Sequence, residues 1–133
     1  MKYLFLVFCS CLFCSVNGQK TSLNCGLLQA AIETNVFQQR FNVCKSNEEI
    51  HVVDKSKSFA NCILEDVCKK RLSVHSDSSG IEEGDIIEIY RIDMKKNVFT
   101  LYFHRPATGA TLILRIKYKK RKTKLLGYEV GAF

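Results

Sequence analysis

Between Leu23 and Phe41 the apolar positions recur at intervals of three and four. Cys25, Leu28, Ile32 and Val36 fall on one face, and Phe37 and Phe41 widen the stripe, so a helix is predicted with Ser22 or Asn24 as its cap. The stretch Ser58–Leu72 carries a second helical pattern. Ser58 can cap it, Phe59, Cys62, Ile63 and Val67 share a face, and Lys69, Lys70 and Arg71 fall in the last turn, where cations suit the helix dipole. Between them, Ser46-Asn47-Glu48-Glu49 matches a capping box, while Ile50, Val52 and Val53 favour a strand; a short helix or turn is the expectation there.

After a polar, turn-rich segment, Ser73–Gly84, the period changes to two. Strands are predicted over Asp85–Ile92, Val98–His104, Thr111–Lys119 and Lys124–Val130. The turns between them are Asp93–Asn97, Arg105–Gly109 and Lys120–Thr123. The third strand is the clearest. Leu112, Leu114, Ile116 and Tyr118 point one way, and Thr111, Ile113, Arg115, Lys117 and Lys119 the other. Helices first and strands afterwards imply an α+β fold, with N-terminal disulfide-clamped helices packed on a C-terminal four-stranded antiparallel sheet.

Residues 1–18 follow neither pattern. Lys2 precedes an apolar run from Tyr3 to Phe13, and Val16 and Gly18 occupy the −3 and −1 positions of a cleavage site. This is the form of a secretory signal peptide, and no later window is apolar enough to span a membrane. The remaining 133 − 18 = 115 residues make one extracellular domain, 19–133, with a helical, cysteine-containing part (19–72) and an antiparallel meander (85–130). The chain is too short for a TIM barrel or a two-domain dehydrogenase, and a hydrophobic fraction of 47% argues against wholesale disorder.

Secretion changes what the cysteines mean. Of seven, Cys9, Cys11 and Cys14 leave with the leader, and Cys25, Cys44, Cys62 and Cys68 remain to form two disulfides in an oxidising compartment. Their spacings of 19, 18 and 6 residues fit no zinc-binding pair. If 58–72 is helical, Cys62 and Cys68 are separated by roughly 9 Å of rise, beyond the ~7 Å limit of a disulfide. Two pairings are then left, and antiparallel helix packing would favour Cys25–Cys68 with Cys44–Cys62.

Charge supplies the strongest functional signal. The formal net charge is +7, and loss of Lys2 leaves 19 − 13 = +6. Arg115, Lys117, Lys119, Lys120, Arg121, Lys122 and Lys124 place seven cations in ten residues with no acid among them. One or two lysines would protect a strand edge; seven point to polyanion binding. A secreted protein would meet glycosaminoglycans of the heparin type, or an acidic protein surface, which suits an effector or ligand. Nucleic acid would be gripped by its backbone without base reading, because Tyr118 is expected on the core face and stacking needs exposed rings.

Catalytic signals are thin. His51, His75 and His104 share no ligand spacing, and Asp77, Glu82, Glu83 and Asp85 lack the close spacing of a calcium loop, so no catalytic residue, metal or cofactor is expected. Asn24-Cys25-Gly26-Leu27 followed by Gly84-Asp85-Ile86-Ile87-Glu88-Ile89 resembles the order found in lecithin–retinol acyltransferase and its papain-like relatives. There the cysteine is the nucleophile and a histidine on the following strand its base. The matching stretch here, Lys96–Tyr102, has no histidine, and Cys25 is expected to be oxidised. Two alternative functions accompany the leading one: a small His-dependent, ribonuclease-like hydrolase, and a carrier of an apolar ligand held among Phe37, Phe41, Phe59, Phe99 and Phe103.

Overall fold

The computed structural model describes residues 24–132. The predicted leader, 1–18, and the five residues after it lie outside the described residues, as does Phe133. Two short helices, α1 (24–32) and α2 (Asn35–Arg40), stand where one was expected. Thr34 divides them. Its backbone is extended at φ −65° and ψ 142°, its Oγ1 accepts the Phe37 N–H, and the hydroxyl donates to the Ala31 carbonyl. One side chain thus closes α1 and caps α2.

Six strands follow: β1 (Ile50–Asp54), β2 (Leu72–His75), β3 (Asp85–Lys95), β4 (Val98–Arg105), β5 (Ala110–Lys119) and β6 (Lys122–Ala132). They form one mixed sheet in the order β2-β1-β3-β4-β5-β6. The antiparallel meander β3–β6 matches expectation, but β1 runs parallel to both β2 and β3, so the four-stranded sheet becomes six-stranded. Ile50, Val52 and Val53 join the sheet because all three are buried there, which outweighs the capping-box signal upstream.

The second predicted helix does not form. Over 58–72, Asn61, Cys68 and Lys69 have positive φ (63°, 52° and 63°), incompatible with a right-handed helix. The backbone of this segment bonds elsewhere. Gln29 of α1 accepts the Glu65 N–H at 2.8 Å and donates to the Glu65 carbonyl at 3.3 Å, and Val67 and Lys70 close a tight turn on each other. Phe59, Cys62, Leu64, Val67 and Leu72 are buried, whereas Ile63, expected on the helix's apolar face, is 88% exposed.

The disulfides are Cys25–Cys62 and Cys44–Cys68. This is the other of the two pairings left open, since the antiparallel helix pair that favoured Cys25–Cys68 is absent. The bonds tie the 58–70 loop to α1 and to the segment after α2. Arg40 adds a tether at the far side, donating to the Thr111 carbonyl at 3.1 Å and to the Gly131 carbonyl. Helices and loop share one core with alternate residues of the sheet, among them Ile87, Ile89, Leu101, Phe103, Leu112 and Leu114. The opposite sheet face is solvated.

Candidate polyanion-binding surface

The sequence places its cations where β5 returns as β6. A two-residue turn joins the strands, with Lys120 at φ 51° and Arg121 at φ 62°, so both turn residues are left-handed. That twist matches the strands and gives a tight tip. The register pairs Lys117 with Lys124 and Lys119 with Lys122. Directly opposed residues of an antiparallel pair project from the same face. Four lysines therefore crowd one face of the tip, and the two turn cations lie at its end.

Arg115 differs from the other six. It is half-buried, and its guanidinium lies 3.3 Å from Glu129 on β6. Lys117, Lys119, Lys120, Arg121, Lys122 and Lys124 are all exposed, and among the described residues none has a carboxylate within ion-pair distance. Tyr118 packs against the core, as its alternation requires.

The same outer face holds a second cluster that period-two counting does not reveal. In β3, Ile89 opposes Phe103 and Arg91 opposes Tyr102, so Tyr90 is an extra residue in a β-bulge. A bulge turns consecutive side chains toward one face. Tyr90 and Arg91 accordingly flank the Tyr102 ring. The tyrosine centroids are 5.7 Å apart, and the Arg91 guanidinium carbon is 5.2 Å from the Tyr102 centroid. Asp93 fixes both partners, accepting from Arg91 Nε at 3.1 Å and from the Tyr102 hydroxyl at 3.1 Å. Burial, then the hydrogen bond to Asp93 and its charge, push the Tyr102 phenol above its ordinary value of 10.0. The only sequence signal was a pair of tyrosines on adjacent strands; their contact needed the bulge.

The histidines come together in part. His51 on β1 and His75 at the end of β2 face each other across the parallel pair, Nδ1 to Nε2 at 3.0 Å, and His51 Nε2 lies 3.1 Å from the Glu83 carbonyl. A carbonyl only accepts, so His51 Nε2 donates to it, and one proton is shared between His51 Nδ1 and His75 Nε2. The facing nitrogens are thus spent on each other. His104 lies 3.5 Å from Glu88. Beside His51 is a hollow of about 380 Å³ lined by Glu48, Glu49, Lys70, Arg71 and Ser73, whose opposite charges offset one another.

The acidic stretch also separates. Asp85 is buried against Arg105 at 2.6 Å, while Glu82 and Glu83 remain exposed. Asp77 accepts from Ser79, which lowers its pKa. Among the described residues no three acidic, His or Cys side chains group as metal ligands. Phe37, Phe41 and Phe103 meet edge to face in the core, with centroids 5.1–6.3 Å apart, and Phe59 and Phe99 are buried in the same cluster. No helix among the described residues is long and apolar enough to cross a membrane. No family model matches the chain, and no curated protein or solved structure matches it either.

Proposed function

We propose that this is a secreted, non-enzymatic binding protein that engages an extracellular polyanion, or an acidic partner surface, through the β5–β6 hairpin. The two disulfides suit the oxidising compartment that secretion implies. One observation carries the functional claim: the register sets Lys117 against Lys124 and Lys119 against Lys122 with no carboxylate between them. Like charges directly opposed across a sheet destabilise it. A strand edge needing only protection would not carry two such pairs, whereas a polyanion laid along the tip relieves both at once.

Salt dependence tests this. Counterion release makes the logarithm of the binding constant fall linearly with the logarithm of salt, with a slope set by the number of cations engaged. The wild-type protein should bind heparin with a steep slope. Changing Lys119, Lys120, Arg121 and Lys122 together to Ser should flatten that slope and bring elution to markedly lower salt. Elution unchanged by the four substitutions would remove the hairpin from the binding surface.

A further inference from the structure

We infer that the ligand of this surface is a single-stranded nucleic acid, its phosphates on the lysines of the hairpin and its bases on the Tyr90–Arg91–Tyr102 cluster. The inference rests on the polyanion reading above and deepens it. Sequence alternation allowed only backbone contact, because Tyr118 turns inward. The bulge in β3 changes that, by setting two half-exposed rings and an exposed guanidinium on the same face as the cations.

The strand register gives the layout. Tyr102 opposes Ile113, Thr100 opposes Arg115, and Val98 opposes Lys117, which in turn opposes Lys124. The rings and the lysine rows are thus four residues apart along the strands, roughly 13 Å at ~3.3 Å per residue. Arg115 lies midway. Single-strand sites of this kind engage about 4–16 nucleotides, so a short oligonucleotide spans the distance. The Arg91–Asp93–Tyr102 contacts hold the cluster in place before binding, which lowers the ordering cost of a complex. Asp93 and Glu129 are each satisfied by a neighbouring arginine, so the carboxylates on this face are compensated locally while the tip keeps its charge.

A sulfated glycosaminoglycan would use the lysines alone. A duplex hides its base faces, leaving the tyrosines without a role. Base–aromatic stacking contributes about 1–3 kcal/mol per base, a factor of roughly 5 to 150 in affinity.

The test uses the disulfide-bonded protein with four probes: a labelled 15-mer of thymidine, the same length of abasic strand, a 15-base-pair duplex and heparin. Affinity is read by anisotropy or its competition, and each variant's fold is checked by circular dichroism and urea midpoint. Tyr90→Ala and Tyr102→Leu should each weaken the 15-mer within that 5- to 150-fold range while leaving the abasic strand and heparin unchanged. Tyr102→Phe, which keeps the ring and loses the hydroxyl's contact with Asp93, should weaken the 15-mer less than Tyr102→Leu does. Wild-type protein should favour the 15-mer over the duplex. If the tyrosine variants bind the 15-mer as wild type does while the lysine variant loses it, the stacking inference falls and the polyanion reading survives. Tight heparin binding with no 15-mer binding also overturns the stacking inference and assigns the surface to glycosaminoglycan. If no probe binds, or the lysine variant changes none of them, the polyanion reading itself fails.

Discussion

The buried ion pair between Asp85 and Arg105 permits a quantitative test of how the start of β3 is held to the end of β4. The Asp85 side chain is 2% exposed and that of Arg105 21%, and the charged atoms approach to 2.6 Å. The approach is close, yet among the described residues neither Asp85 Oδ2 nor Arg105 Nε makes an aligned hydrogen bond. Desolvation costs several kcal/mol per ion, and attraction offsets it fully only when hydrogen bonds complete the geometry. The pair should therefore add little net stability over an apolar pair of similar size. Removing one partner is different, because it leaves a buried charge uncompensated. Asp85→Leu and Arg105→Met should each cost about 3–5 kcal/mol, and the double change Asp85→Leu with Arg105→Met should lie near wild type or up to ~4 kcal/mol above it. The singles would lower the melting temperature by roughly 10–20 °C in a domain of this size. Urea unfolding of all four proteins, followed by circular dichroism and tyrosine fluorescence, measures the cycle. If the two losses simply add in the double variant, the residues are uncoupled and the ion-pair account is wrong.

Other outcomes follow from the core, the crosslinks and the outer face. Phe103 is fully buried and meets Phe37 and Phe41 edge to face, so Phe103→Ala should cost about 3–5 kcal/mol by urea denaturation; a loss below ~1 kcal/mol would contradict the packing. Peptide mapping without reduction should recover Cys25 joined to Cys62 and Cys44 joined to Cys68. Their loops of 37 and 24 residues differ so little in closure entropy that removing either bond should cost about 2–4 kcal/mol, the two within ~0.4 kcal/mol of each other if chain entropy alone acts. The raised Tyr102 pKa means that the folded state holds its proton longer than the unfolded state does. Its contribution is therefore complete below pH ~10 and is lost as pH rises through the folded value. Absorbance titration at alkaline pH should show late ionisation of Tyr102, which Asp93→Asn moves part-way back; an unchanged titration would rule out the Asp93 contact. Gly84, at φ +105°, has no room for a Cβ, which would sit 2.7 Å from the Glu49 carbonyl. Gly84→Ala should cost about 1–3 kcal/mol, and a neutral result would mean that the loop over His51 relaxes freely.

The sequence by itself determined the elements whose signals are local. Alternation in 111–119 identified β5 and put Leu112, Leu114 and Ile116 inside, because a strand facing a core must alternate whatever lies beyond it. Basic residues bracketing the turn after β5 located the cationic tip, because crowded like charges are stable only in water. Tertiary structure alone decided the rest. Segment 58–72 has a helical apolar period, but Gln29 and two disulfides supply its backbone and side chains with partners that a helix would deny them. Asp85, one acid among several in the sequence, is buried because the strand register brings Arg105 to it. Strict alternation along β3 would have set Arg91 with Ile87 and Ile89 on the buried face. The extra residue, Tyr90, reverses that assignment, and whether a strand bulges depends on the hydrogen bonds its neighbour offers. Period and charge are properties of the chain, whereas pairing across 24, 36 or 37 residues exists only once the chain has closed on itself.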